Sequence, residues 1–126
     1  MKKITIKKRM TFEMLEPKEQ SAIKKWLFWE LVVELSATTE RINLNNGCIL
    51  DKDVLSDTIK SNIISKLENK RIDDIGFDFE FNIENFASWI FDELKKIENE
   101  FIWIKLESIE LTNEEENLRC IIKEMA

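Results

Sequence analysis

The sequence predicts an α+β subunit in which an antiparallel four-stranded sheet, built in the order ββααββ, carries two helices on one face. Three observations carry this. Both ends of the chain alternate apolar and polar residues with a period of two, the middle repeats apolar residues at helical spacing, and only two Gly and one Pro are present to make turns. At 126 residues the chain is read as one domain, 1–126. With 44% apolar and 35% charged residues, it has the makings of a packed core and is not a disordered linker.

In the first strand Ile4, Ile6, Met10, Phe12 and Met14 alternate with Lys3, Thr5, Lys7, Arg9, Thr11 and Glu13, interrupted only by Lys8. Pro17 blocks its continuation, and residues 17–25 form a polar loop or a short helix. A second strand is expected over 26–36, with Leu27, Trp29, Leu31, Val33 and Leu35 on one face. A sheet covered on one side needs a single apolar face. Trp26, Phe28 and Val32 on the other face therefore imply a second burial surface, either a subunit interface or packing beneath residues 17–25.

Residues 38–47 read as a polar connection with Asn45, Asn46 and Gly47 at its turn. A helix capped by Asp51 or Asp53 is expected to run from 53 to about 69, with Val54, Leu55, Ile59, Ile63, Ile64 and Leu67 as its stripe. The second helix has Asn82 as cap, Glu84 in its first turn and Phe86, Ile90, Leu94 and Ile97 on its core face. In residues 101–111, Ile102, Ile104 and Leu106 share one phase and Ile109 and Leu111 the other, which requires a bulge or turn near Ser108. Residues 112–117 read as an acidic turn, and 118–125 as a returning strand.

The net charge of −6 disfavours a protein that holds nucleic acid by neutralising phosphates. No signal-peptide core follows the basic start, and no stretch reaches the roughly 18 apolar residues of a membrane span, so the expected setting is the cytoplasm, with no membrane contact. Cys48 and Cys120 suggest neither a disulfide framework nor a metal clip and read as buried thiols. Asp73, Asp74, Asp78 and Glu80 lack the glycine and closing glutamate of a calcium loop. Lys2, Lys3, Lys7, Lys8 and Arg9 read as the wet face of a strand, and Trp26, Trp29, Trp89 and Trp103 as core or interface. No phosphate-binding glycine pattern occurs.

Several segments together resemble the tunnelling-fold (T-fold) enzymes of the 6-pyruvoyl-tetrahydropterin synthase and 6-carboxytetrahydropterin synthase family. Gly47-Cys48-Ile49-Leu50-Asp51 is similar to the family's opening of the first helix. The run from Leu67 to Ile75, LENKRIDDI, aligns without gaps on its L-D-H-R-x-L-N-D-I. Glu84-Asn85-Phe86-Ala87-Ser88-Trp89-Ile90 is similar to its E-N-L-A-x-W-I, and Met10-Thr11-Phe12-Glu13 to the end of its first strand. The resemblance implies a T-fold subunit that assembles into a barrel with sites between subunits.

It also implies a catalytic zinc held by three histidines, and this chain has no histidine. The matching positions are approximately Glu16, Lys25 and Leu27, which do not form a zinc site. The family's base cysteine falls near Gln20 or Ser21, and its Asp-His relay on Glu68 and Asn69. A ring-binding glutamate after the third strand falls on Asn113 or Glu114, with Glu110 a third choice. The expectation is a catalytically inactive homologue with no metal and no cofactor. Such a protein would be an oligomeric binding or structural subunit, a homo-oligomer or a mixed oligomer with a homologue, taking a pterin- or purine-like ligand or a protein partner. The alternative is a zinc-independent enzyme acting on a pterin or 7-deazaguanine precursor through Glu68, Glu114 or Cys48.

Overall fold

In a computed structural model of the chain, residues 1–16, 25–40 and 49–125 are described. Strands β1 (Lys3–Leu15), β2 (Trp26–Thr38), β3 (Lys105–Asn113) and β4 (Leu118–Lys123) form one sheet in that order, with every neighbouring pair antiparallel. Because side chains alternate across a pleated strand, the register decides which residues share a face. Here it aligns apolar rows across the sheet: Met10, Leu31, Leu111 and Cys120 make one, and Val33, Ile109 and Ile122 another. Trp29, Leu31, Val33, Leu35 and Ala37 of β2 are all buried.

Helix α1 (Lys52–Ile59) starts at Asp51, whose carboxylate accepts from the backbone N–H of Asp53 at 2.9 Å. It continues through a π-helical turn (Lys60–Ile64) into a last piece, Ser65–Leu67. The wider turn lets Leu55 and Ile59 before it, Ile63 and Ile64 within it and Leu67 after it all reach the core. A short helix α2 (Ile72–Ile75) ends on Gly76, whose φ of 86° is the left-handed conformation that stops a helix. Helix α3 (Ile83–Lys95) is capped by the Asn82 side chain, which accepts from the N–H of Asn85 at 2.8 Å, and one turn, α4 (Ile97–Glu100), follows. Phe86, Ile90, Leu94 and Ile97 are all fully buried against the sheet. Both helix groups thus cover one face, as the sequence predicts, and none of these helices lies on the other, called here the helix-free face of the described residues.

Several boundaries differ from the sequence reading. Val54 is 42% exposed, because the Asp51 cap sets the phase of α1 and turns the second residue after Lys52 outward. The helix stops at Leu67, where Glu68 becomes extended, and not at residue 69. Ile102 is 77% exposed and outside the sheet, since β3 begins only at Lys105 after the turn that follows α4. The phase slip is a bulge: Glu34 opposes Ser108 and Leu35 opposes Leu106, leaving Glu107 as the extra residue. Thr112 and Asn113 belong to β3, the acidic turn is 114–117, and β4 ends at Lys123. Pro17, Gln20, Ser21, Asn45, Asn46, Gly47 and Cys48 lie outside the described residues. Cys120 is half-buried, and burial raises its thiol pKa above the usual value.

Phe86 joins the two layers, with ring centroids 5.1 Å from Trp29, 5.0 Å from Phe81 and 5.7 Å from Phe77. Phe86→Ala opens a cavity among rigid rings, and the expected loss is about 4 kcal/mol of unfolding free energy in urea titrations.

Candidate functional site

One end of the sheet gathers nearly all the residues that the sequence singles out. There β1 ends, β2 begins, β3 turns into β4, and residues 68–71 cross the edge of β1. That crossing is held by backbone bonds: Asn69 N–H donates to the Glu13 carbonyl and Leu15 N–H to the Lys70 carbonyl, both at 2.9 Å. Leu15 and Arg71 form a parallel bridge, and the Arg71 guanidinium donates to the Glu16 carbonyl at 3.2 Å. Asn69 makes the corner with φ of 63°, a conformation that Asn accepts more readily than most residues. With the backbone bonds retained, Asn69→Gly is expected to keep stability within about 0.5 kcal/mol, whereas Asn69→Val costs about 1–2 kcal/mol, read from urea midpoints.

Two concavities open at this end. The first, about 280 Å³, is lined on the helix side by Leu27, Trp29, Ile72, Phe81, Asn113 and Glu116 among others, and reaches the start of α3 at Asn82, Ile83 and Glu84. The Trp29 indole packs edge-to-ring on Phe81 and Phe86, and its Nε1 is buried without a hydrogen-bond acceptor among the described residues. The second, about 260 Å³, is lined by Thr11, Glu13, Phe28, Glu68 and Glu114 together with Phe12 and Trp29. It places three carboxylate side chains around a 43% exposed Phe28 ring.

The two ring-binding candidates have different surroundings. Asn113 is buried, and its Oδ1 accepts from the N–H groups of Glu115 at 3.0 Å and Glu116 at 3.3 Å, so it shapes the β3–β4 turn. Glu114 is exposed, with its backbone N–H fixed on the Phe28 carbonyl at 3.2 Å. Glu110, the third choice, lies on the helix-free face in an ion pair with Arg119 at 2.8 Å. Glu68 lines the second hollow, while Asn69 has its role in the corner.

The positions matched to zinc ligands do not fit a metal. Glu16 is buried with one carboxylate oxygen unpartnered among the described residues, Lys25 reaches toward Glu115 at 3.8 Å, and Leu27 is an alkyl wall of the first cleft. An ammonium and an alkyl group contribute no lone pair at neutral pH, so one carboxylate remains where three ligands are needed. Among the described residues no group of three or more His, Cys, Asp or Glu side chains is placed to hold a metal ion. Trp26 is 38% exposed and Val32 half-buried, so with Phe28 they leave an apolar strip open on the helix-free face.

Sequence reasoning did not mark Ile72, Phe81, Ile83 or Glu116 as cleft residues. They flank elements, and no local pattern distinguishes such positions. It also missed the pairing of residues 69–71 with β1, for which the only sequence sign is an Asn able to take positive φ at the end of a helix.

The rest of the helix-free face is a lattice of ion pairs. Arg9 pairs with Glu30 at 2.8 Å and Lys3 with Glu107 at 2.7 Å, while Ser36 donates to Glu107 at 2.5 Å and Ser108 to Glu34 at 3.0 Å. Lys3, then the Ser36 hydroxyl, hold the Glu107 carboxyl below its ordinary pKa. A carboxylate whose pKa is depressed on folding stabilises the protein above its unfolded pKa and loses that contribution as pH falls through the folded value. Glu107→Gln is therefore expected to flatten the fall in stability below about pH 5, measured as urea midpoints across the acid range.

The architecture places the chain among T-fold-like α+β subunits. A solved structure of 6-pyruvoyl tetrahydropterin synthase from Caenorhabditis elegans is similar to it with a TM-score of 0.74, covering 99% of this chain and 98% of that chain at 14% sequence identity. At that identity the likeness is one of fold. No family model matches the chain, and no curated protein matches its sequence. Among the described residues no helix is long and apolar enough to cross a membrane.

Proposed function

We propose that this protein is a non-catalytic subunit of T-fold type that assembles with copies of itself and holds a planar, pterin- or purine-like ring at the acidic end of its sheet. The observation that carries the reading is a contrast within one end of the molecule. The positions matched to the family's zinc and relay hold Glu16, Lys25, Leu27 and Asn69, which supply no metal site and no titrating imidazole, yet carboxylates still surround an aromatic surface there.

The chemistry suits a ring bearing adjacent amide and amino N–H groups. A carboxylate accepts both at once, and charge-assisted bonds of this kind are the stronger ones. Glu114 is the preferred acceptor, because Asn113 already spends its Oδ1 on the turn. Phe28 offers a face for stacking, and Glu13 and Glu68 favour a neutral or cationic ligand over an anionic one.

Assembly is supported by the strand parity. In a four-stranded antiparallel sheet the two edge strands run in opposite directions, so copies placed edge to edge continue the antiparallel pattern without a break. The exposed Trp26 and Phe28 and the half-buried Val32, on the face of the inner strand β2, offer copies a separate, face-to-face contact.

Native mass spectrometry of protein purified by gentle lysis tests both parts. The expected species is a homo-oligomer carrying a small molecule of pterin or purine mass and no stoichiometric metal. A strict monomer at every concentration rejects assembly, and stoichiometric zinc rejects the non-catalytic reading. Glu114→Gln is expected to weaken the ring complex about tenfold, by tryptophan-fluorescence titration with pterin, through loss of a charge-assisted bond.

A further inference from the structure

The first cleft, on the helix side of the sheet, holds two kinds of polar group that the fold leaves unused. Its lining includes two carboxylates, Glu84 at the start of α3 and Glu116 in the β3–β4 turn, and no lysine or arginine. Both residues are exposed, and among the described residues neither is in an ion pair. Against them stand N–H donors. The Trp29 residue is 2% exposed, and its Nε1 has no acceptor among the described residues. Ile83 and Glu84 open a helix of 13 residues, so their backbone N–H groups have no helical carbonyl one turn back to donate to. The capping side chain of Asn82 accepts from the N–H of Asn85.

Each half of this arrangement excludes a simple ligand. Two carboxylates repel an anion that carries no compensating cation. A plain cation gains from Glu84 and Glu116 but leaves the indole N–H unpaired and meets the positive end of α3. Water takes up roughly 30 Å³ per molecule, and the cleft measures about 280 Å³. A molecule that carries a carboxylate and an ammonium on one carbon answers the donors and the carboxylates together. The remaining wall is apolar, with Leu27, Ile72 and Phe81. Leu118, also in the lining, is 45% exposed, which is apolar surface that a bound side chain covers.

We propose that the first cleft is a binding site for a free α-amino acid with an apolar side chain. The carboxylate of the ligand accepts from Trp29 Nε1 and from the N–H groups that open α3. Its ammonium lies between Glu84 and Glu116, and its side chain rests on Leu27, Ile72 and Leu118. One small molecule thereby bridges the start of α3 and the β3–β4 turn, and occupancy stabilises the folded chain by mass action. The cleft shares only Trp29 with the hollow around Phe28, and the site depends neither on ring binding nor on assembly.

Isothermal titration calorimetry of the full chain with L-leucine tests this, beside isocaproate, which lacks the ammonium, and isoamylamine, which lacks the carboxylate. Leucine is expected to bind saturably at one site per chain, and each singly charged analogue about tenfold more weakly or less tightly still. Glu116→Gln and Glu84→Gln are each expected to weaken leucine binding about tenfold while leaving the weak binding of isocaproate unreduced. Trp29→Phe keeps an aromatic ring and removes the N–H, with a loss of similar size expected. Because Trp29 is a core residue, the two glutamate variants, both at exposed positions, decide the matter if that chain does not fold. Absence of saturable leucine binding overturns the proposal. So do equal affinities for leucine and either analogue, or leucine binding that both glutamate variants leave unchanged.

Discussion

The inward row of β2, Trp29, Leu31, Val33, Leu35 and Ala37, is 6% exposed or less at every position, and one continuous cluster joins it to Phe12 and Met14 of β1, Ile109 and Leu111 of β3, and the helix residues Ile59, Ile63, Phe86 and Ile90. No other strand is paired along so much of both its edges. If that row shifted by one residue it would turn to the helix-free side, and both neighbouring strands would lose their apolar partners at once. The register of the sheet, the seating of both helices and the placing of the β3–β4 turn beside Trp29 all follow from it.

Trp29 also links this core to the candidate site. Its ring stacks on Phe12 at 6.4 Å between centroids and meets Phe81 and Phe86 edge-on, so the wall of the helix-side cleft is an extension of the core and not a loop. Rigidity of that kind suits a surface meant to hold a flat ring, since little side-chain freedom is lost on binding. The second hollow is built differently. Its carboxylates come from β1, the 68–71 crossing, which is hydrogen-bonded to β1, and the β3–β4 turn, which is hydrogen-bonded to Phe28 of β2.

The architecture was legible in the sequence because its signals are local and periodic. Alternation in β1 and β2, the stripe from Phe86 to Ile97 and the Asn82 cap each depend on a few neighbouring residues, and each is found where it was expected. The phase slip near Ser108 was also readable, since a bulge is a local event, although only the partner strand fixes Glu107 as its extra residue. What was not legible depends on long-range contact. Ile102 looks like a strand residue in isolation, but the chain is still turning out of α4 there. Of the site, the individual positions Glu68, Asn113 and Glu114 were marked, whereas the cleft walls Ile72, Phe81 and Glu116 come together only in the folded chain.

The π-helical turn at Lys60–Ile64 has a consequence for how this chain tolerates changes in length. A π turn holds roughly one residue more than an α turn while spanning the same rotation, so deleting one residue within it restores ordinary helix and leaves the apolar stripes before and after it pointing the same way. The same deletion in Ile83–Lys95 would rotate Leu94 and Ile97 away from the sheet by about 100°. Between Asp51 and Leu67 the molecule therefore carries a built-in slack of one residue. The first helix can differ in length by that amount between related chains with the sheet, the 68–71 crossing and the two hollows left in place.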